Sequence, residues 1–152
     1  MQTGNQFDAS SIDWKPLPAP DGSPSPHIGM SILEVDEKAH IVDVLFKFAA
    51  NEKIVMHRHT SAFNTLVLQG EHRIYEPSGA LKEIRPTGTY RAGKADDEPH
   101  TEGGGDEDVI ILFSLRPYDE HAPIYEVLDD NLETIGTMNF AALRDLYASG
   151  AA

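Results

Sequence analysis

The residues best suited to metal binding in this sequence are two histidines one residue apart, His57 and His59. Side chains alternate between the two faces of an extended strand, so this pair shares one face while Arg58 points to the other. Two imidazoles on one face can converge on one ion, with nitrogen–metal distances of about 2.0–2.1 Å for zinc. A third histidine, His100, can complete the cluster if its segment returns to the same interior. The spacing predicts a metal pocket.

The histidine pair alone is weak evidence for a metal site, and the surrounding sequence strengthens it. With seven histidines in the chain, such a pair arises by chance in roughly a quarter to a third of similar sequences. Here the pair lies on a predicted strand, a second strand that ends at Gly70 follows it, and two hairpins separate it from His100. That order favours a shared site.

Composition restricts the partners and the ligands. The chain has 152 residues, enough to bury a core as one domain. Its formal net charge of −13 disfavours nucleic acid and anionic membranes as partners. Cysteine is absent, so a metal must be held by nitrogen and oxygen ligands, and we expect a reducing, cytoplasmic location. We expect no signal peptide, and no apolar run approaches the roughly 18–20 residues of a membrane helix.

Short segments of alternating apolar and polar residues, separated by turn residues, predict an all-β fold. The most apolar run, residues 109–115, predicts a buried strand. The predicted strands are 28–35, 41–48, 53–60, 63–69, 71–75, 81–84, 89–92, 109–115, 124–128 and 132–135. Together they are typical of a small antiparallel β-barrel or jelly roll.

The two ends of the chain differ from this pattern. The proline-rich residues 1–27 predict an extended arm or loop and no helix, with Trp14 packed outside the barrel or on a second subunit. Helical periodicity is confined to residues 139–148, where Thr137 or Asn139 is the expected N-cap. We therefore expect one domain over residues 1–152, made of an arm at 1–27, a barrel at 28–136 and a C-terminal helix within 137–150.

The histidine pair and its surroundings resemble the first motif of the cupin superfamily, which reads Gly, five residues, His-x-His, three or four residues, Glu, six residues, Gly. His57, His59 and Gly70 match this motif. Asn51 takes the place of the first glycine, and asparagine tolerates positive φ better than most residues. Asn64 is assigned to the glutamate position, so the resemblance implies a site without a glutamate ligand.

His100 resembles the histidine of the second cupin motif, although the usual Pro-x-Gly before it is lost and Gly104 replaces the closing asparagine. Among RmlC-like cupins the layout is similar to small three-histidine proteins, namely acetylacetone-cleaving and dihydroxyacetophenone-cleaving dioxygenases and the metal-binding domain of ChrR-type anti-sigma factors. The resemblance implies that His57, His59 and His100 hold one divalent transition metal per chain. It favours Fe(II), with zinc, nickel and manganese as alternatives, and implies a homodimer.

Three neutral imidazoles leave the charge of a divalent ion unneutralised, so such a site favours an anionic, chelating small molecule. An enolisable dicarbonyl or a hydroxyketone fits that description, and Fe(II) with O₂ would then cleave a C–C bond as a non-haem dioxygenase. Three alternatives stay open. One is an O₂-independent metal-dependent isomerase or lyase, and another is a non-enzymatic, zinc-binding regulatory module similar to ChrR. The third is a metal-free binding or structural cupin.

Further polar residues are candidates for supporting roles. Glu98 shares a face with His100 if that segment is extended, and it could then be a fourth ligand or a proton acceptor. The neighbouring Asp96, Asp97 and Glu102 instead indicate a solvated acidic loop. Asn64 is expected to hydrogen-bond near the metal rather than to bind it. Either His72 or Arg73 could face the barrel mouth, with an outward ion pair the simpler expectation for Arg73. Candidate substrate-binding residues are Phe46, Phe48, Phe63, Arg73 and Phe113, and His27, His40 and His121 are expected at the surface.

Overall fold

The structure is a computed structural model that describes residues 7–95 and 98–152. Within this part of the chain the strands are β1 Lys15–Pro18, β2 Pro24–Asp36, β3 Ile41–Phe48, β4 His57–His59, β5 Ala62–Gln69, β6 His72–Tyr75, β7 Leu81–Arg85, β8 Tyr90–Gly93, β9 Thr101–Gly103, β10 Val109–Arg116, β11 Pro123–Leu128 and β12 Thr134–Asn139. A 3₁₀ turn at Ala9–Ser11 precedes them, and the helix α1 Phe140–Ala148 follows.

The strands form antiparallel layers around an apolar interior. One sheet has six strands in the order β1-β2-β3-β10-β5-β8, and two smaller sheets have the orders β12-β11-β4 and β7-β6-β9. The two small sheets meet where His57 and His100 pair as an isolated antiparallel bridge. The amide of each donates to the carbonyl of the other, at 3.0 and 2.9 Å. This confirms the all-β barrel, or jelly roll, expected from the sequence.

The six-stranded sheet supplies the aromatic side of the interior. Phe46 and Phe48 of β3 and Phe113 of β10 are 7%, 2% and 2% exposed. The rings of Phe46 and Phe113 meet edge to face with centroids 5.2 Å apart, a geometry that aromatic pairs prefer. Phe46 and Phe48 are two residues apart on one strand, so they share a face, as side-chain alternation requires.

The proline-rich arm contributes more to the fold than the sequence indicated. Its β1 pairs with β2 at the edge of the six-stranded sheet, and an edge strand tolerates proline because one side of it needs no ladder hydrogen bonds. Leu17 of this strand belongs to the core and is 6% exposed. Trp14 lies on the outside, with the ammonium of Lys47 4.9 Å from its ring centroid. Residues 1–6 of the predicted arm lie outside the described residues.

Two further differences concern the strand with the histidine pair and the chain end. The predicted strand at 53–60 contracts to His57–His59, because the preceding residues cross between sheets, with Ile54 donating to the carbonyl of Glu102 at 2.8 Å. The predicted strand at 132–135 begins later, at Thr134, and continues to Asn139. Asn139 then caps α1, its side chain accepting from the amide of Ala142 at 2.9 Å. None of the helical segments in residues 7–95 and 98–152 is long and apolar enough to cross a membrane.

Candidate metal centre

The histidine pair faces the barrel interior, as the strand alternation requires. His57 and His59 are 6% and 5% exposed, and their ring centroids lie 5.1 Å apart. Arg58, between them, points outward and donates from Nε to Glu126 at 3.1 Å. The motif boundaries also match expectation, since Asn51 has φ 58° and Gly70 has φ 74°. Asn51, which stands at the first glycine position of the motif, thus adopts the left-handed conformation that glycine favours.

His100 joins the pair through its backbone bridge to His57, and its ring lies 4.5 Å from that of His57, centroid to centroid. Nδ1 of His57 lies 2.9 Å from the carbonyl oxygen of Val55. Nδ1 of His100 lies 2.8 Å from the carbonyl oxygen of Glu98. A carbonyl only accepts, so both Nδ1 atoms carry the proton, and in the neutral rings the Nε2 lone pairs are left to face the cluster.

A fourth member of the cluster is Glu102 of β9, which is 3% exposed. Its Oε2 lies 2.8 Å from Nε2 of His57 and 3.8 Å from Nε2 of His100. The expectation that Glu102 belongs to a solvated acidic loop is therefore wrong, because its carboxylate points into the interior. Asp96 and Asp97, which carried the same expectation, lie outside the described residues.

His72 of β6 holds the other oxygen of this carboxylate. It is fully buried, and its Nε2 lies 2.7 Å from Oε1 of Glu102. The sequence left open which of two neighbours would face inward, and the structure places His72 inside. Arg73 points outward and donates to Glu71 at 3.0 Å, which is the outward ion pair expected from the sequence. The structure does not bring Arg73 into the cluster.

Four side chains thus offer ligand atoms that all lie within 4.8 Å of one another: His57, His59, His100 and Glu102. With metal–ligand distances of about 2.0–2.2 Å, neighbouring ligand atoms around one ion are roughly 3–3.5 Å apart, so modest contraction would bring this set onto a shared ion. The 2.8 Å contact between Nε2 of His57 and Oε2 of Glu102 is satisfied either by a second proton on His57 or by a metal ion bound to both atoms. The donor set therefore fits a divalent metal.

The electrostatics of the cluster suit metal ligands at neutral pH. Burial lowers the pKa of His100 to about 4, with His57 and His59 adding to the effect and Glu102 opposing it, so the ring is neutral. Burial acts to raise the pKa of Glu102, but hydrogen bonds from His57 and His72 and their charges bring it well below its usual range. The cluster therefore contains a carboxylate and at least one neutral imidazole.

The residue that stands inside at the glutamate position of the cupin motif is Phe63, not Asn64. Phe63 is 8% exposed, and its ring centroid lies 4.0 Å from that of His59. Asn64 pairs in register with Ser114 of β10 and Ala92 of β8 and lies on the outer side of that sheet. The structure therefore does not bring Asn64 to the cluster. Three intervening residues, rather than four, give the correct spacing from His59.

Glu98 reaches the site through its backbone only. Its carbonyl accepts from His100, while its side chain is 86% exposed and lies 3.6 Å from the ammonium of Lys82. The carboxylate considered from the sequence was therefore Glu98, whereas the structure places Glu102 in the cluster. The rule that grouped His57 with His59 also points to Glu102, which follows His100 by two residues on a strand.

The cluster separates two spaces of different character. An apolar cavity of about 50 Å³ borders His57, His59 and Glu102, with walls that include Phe46, Phe48 and Phe113. On the other side, a cleft of about 210 Å³ borders His59, His100 and Glu102 and is lined by charged residues, among them Lys82, Arg85 and Glu98. Phe63, the remaining aromatic candidate, borders the cleft.

Comparison with models of protein families and with curated proteins gives no match. Solved structures do match. An RmlC-like cupin protein from Ralstonia eutropha is 19% identical, covers 97% of this chain and 87% of its own, and has a TM-score of 0.71. An acetylacetone dioxygenase from Acinetobacter johnsonii is 12% identical, covers 98% and 94% respectively, and has a TM-score of 0.60.

A third similar structure is the Rhodobacter sphaeroides SigE in complex with the anti-sigma ChrR. It is 18% identical over 70% of this chain and 50% of the other, with a TM-score of 0.53. At these identities the likeness concerns the fold. The chain has the cupin fold with a buried histidine and glutamate cluster suited to one metal ion.

Proposed function

We propose that this protein is a metal-dependent enzyme that binds one divalent ion through His57, His59, His100 and Glu102 and acts on a small organic molecule. The observation that carries the proposal is the apolar cavity that opens directly on this cluster. A purely structural ion needs no such space beside it, whereas a catalytic ion needs an open position that substrate can reach.

The cavity limits the size of the substrate. A water-sized group needs about 10–15 Å³ of cavity volume, so the cavity of about 50 Å³ accepts roughly four such groups. Its walls of phenylalanine, leucine and valine exclude water and favour an apolar chain. A dicarbonyl or hydroxyketone of a few carbons meets these limits.

The reaction we propose is oxygen-dependent cleavage of a C–C bond in such a molecule by Fe(II), which supplies Lewis acidity and O₂ chemistry when bound. The chain's own contribution is to orient the substrate in a dry cavity beside the cluster. The likeness to an acetylacetone dioxygenase along nearly the whole chain supports this substrate class.

One observation favours the O₂-independent alternative. If all four residues bind a six-coordinate ion, two positions remain, and a chelating dicarbonyl occupies both. Glu102 also lowers the charge that three imidazoles alone would leave, which weakens the preference for an anionic substrate. An isomerase or lyase reaction needs only the Lewis acidity of the metal, so two open coordination positions are enough for it.

The test is reconstitution under anaerobic conditions with Fe(II), zinc, nickel or manganese, followed by turnover assays with small dicarbonyls and hydroxyketones in an oxygen electrode. Oxygen uptake that depends on both Fe(II) and substrate supports the dioxygenase. Turnover without oxygen uptake supports the isomerase or lyase. A protein that takes up metal stoichiometrically but turns over nothing in the panel contradicts the enzyme proposal and favours a regulatory module similar to ChrR.

A further inference from the structure

The apolar cavity contains one buried phenol that the metal cluster does not use, the side chain of Tyr125. Its hydroxyl is shielded from solvent and has no hydrogen-bond partner within the described part of the chain. Burial of an unsatisfied polar group is unfavourable, and the few such groups in a folded protein need an explanation. An oxygen atom of a bound ligand would satisfy it.

The strand register places the side chain of Tyr125 on the same side of the sheet as the metal cluster. Tyr125 of β11 pairs directly with His59 of β4, and Val127 pairs with His57. Directly opposed residues of an antiparallel pair project to the same face, with Cβ atoms about 4.5–5.5 Å apart. Tyr125 therefore stands beside a metal-ligand candidate and lines the same cavity.

The surroundings of Tyr125 keep its hydroxyl protonated. Burial raises the pKa of this phenol above its ordinary value, so it acts as a donor at neutral pH. Other lining residues are mostly apolar, including Ile28, Phe48 and Leu115. A donor in a mostly apolar wall selects ligands that present an acceptor at that point, because a ligand without one leaves the donor unsatisfied.

We propose that Tyr125 is a substrate-binding residue that donates a hydrogen bond to a carbonyl or enolate oxygen of the molecule in the cavity, and so sets the specificity of the site. This inference rests on the proposed function and deepens it. In this arrangement one oxygen of the substrate binds the metal. The hydroxyl of Tyr125, on β11, donates either to a second oxygen or to the same one.

The experiment compares wild type, Tyr125→Phe and Tyr118→Phe. Tyr118 is a matched control because it is 86% exposed. Each protein is loaded with zinc, which supports no oxygen chemistry, and metal content is measured before any titration. Binding of acetylacetone, and of acetate as a smaller oxygen ligand, is then followed by calorimetry. We expect Tyr125→Phe to bind acetylacetone about ten- to a hundredfold more weakly, as for loss of a hydrogen bond to a charged oxygen.

Tyr118→Phe should bind as wild type does, and the metal content of all three proteins should be equal. Equal affinities for Tyr125→Phe and wild type would overturn the assignment of Tyr125 alone. If the protein takes up zinc stoichiometrically but binds neither probe, both the substrate-binding role of Tyr125 and the proposed substrate class are wrong, while the metal site stands. If zinc is not taken up, the proposed function fails, and the same titrations of metal-free protein test Tyr125 separately.

A second measurement separates ligand binding from a structural role. Because the hydroxyl has no hydrogen-bond partner among residues 7–95 and 98–152, Tyr125→Phe should leave the melting temperature unchanged or raise it. A fall of more than about 4 °C, which corresponds to loss of a structural interaction in a chain of this size, would contradict the proposal even if ligand binding weakened.

Discussion

The carboxylate of Glu102 and the imidazole of His57 meet at 2.8 Å although they belong to different three-stranded sheets. Their chain segments are joined by the backbone bridge between His57 and His100 and by the hydrogen bond from the amide of Ile54 to the carbonyl of Glu102. The contact therefore depends on the seam between the two sheets, and an ion bound to both residues would tie that seam together. This relationship makes Glu102 the residue whose role is most informative to test.

Replacement of Glu102 by glutamine should weaken metal binding about ten- to a hundredfold, because the variant keeps the size of the side chain but loses its charge. Glu98→Gln is the matched control, since that side chain is 86% exposed and only its carbonyl contacts His100. Competition with a fluorescent chelator measures both affinities. Equal loss in the two variants would contradict a ligand role for Glu102.

Alanine at His57, His59 or His100 should each reduce metal content from about one equivalent to less than one-tenth, as loss of one ligand from a small set costs more than about a hundredfold in affinity. His121→Ala is the control, because its side chain is 77% exposed. Elemental analysis of proteins purified without chelators gives the result. A histidine variant that retains a full equivalent would remove that residue from the ligand set.

Removal of the metal should lower thermal stability. A ligand that binds only the folded state at 100 times its Kd contributes about 2.7 kcal/mol, and about 2–4 °C per kcal/mol applies at this chain length. We therefore expect the melting temperature to fall by about 5–11 °C when a chelator strips the protein, and to recover when zinc or Fe(II) is added back. Identical melting curves with and without metal would argue against the cluster as a binding site.

Gly103 should not accept a side chain. A Cβ at this position would lie 1.9 Å from the carbonyl oxygen of Glu52, whereas at Gly29 it would meet only ordinary contacts from 3.4 Å. Gly103→Ala should therefore destabilise the protein by about 1–3 kcal/mol through overpacking and weaken metal binding, because the neighbouring Glu102 must shift. Gly29→Ala should change neither. Urea unfolding and metal titration measure the two effects.

The arm strand β1 should control the size of the cavity. Leu17 is 6% exposed and lines the cavity together with Pro18. Leu17→Ala should cost about 2–5 kcal/mol of unfolding free energy and shift substrate preference toward longer diketones, with metal content unchanged. Turnover of a homologous diketone series checks this expectation. An unchanged preference would show that β1 contributes stability alone.

The barrel and the inward direction of His57 and His59 were predictable because they depend on local patterns, whereas His100 was assigned from the resemblance and joins the pair through a long-range bridge. Alternation along residues 41–48 and 57–59 fixes which side chains point inward, whatever the rest of the chain does. The glutamate of the site was missed because the first motif directed attention to Asn64. The structure places Phe63 inside there, and Glu102 supplies the carboxylate from another strand.

His72 and Tyr125 could not be assigned from sequence for a different reason. Each acquires its place only through cross-strand pairing, His72 beside β9 and Tyr125 opposite His59. Pairing between strands distant in sequence is a property of the tertiary fold. No spacing within either segment distinguishes these residues from an ordinary core histidine and an ordinary core tyrosine.

The shortness of strand β4 makes the metal site sensitive to the register of a single strand pair. Its three residues are held by the pairing of His57 with Val127 and of His59 with Tyr125. A slip of one residue would turn both histidines outward and bring Arg58 inward, since side chains alternate with a period of two. A molecule with the slipped register lacks the histidine pair inside the barrel, so a preparation damaged in this way should be a mixture of competent and inert molecules. A metal titration of such a preparation should give less than one site per chain, with the same affinity as the intact protein.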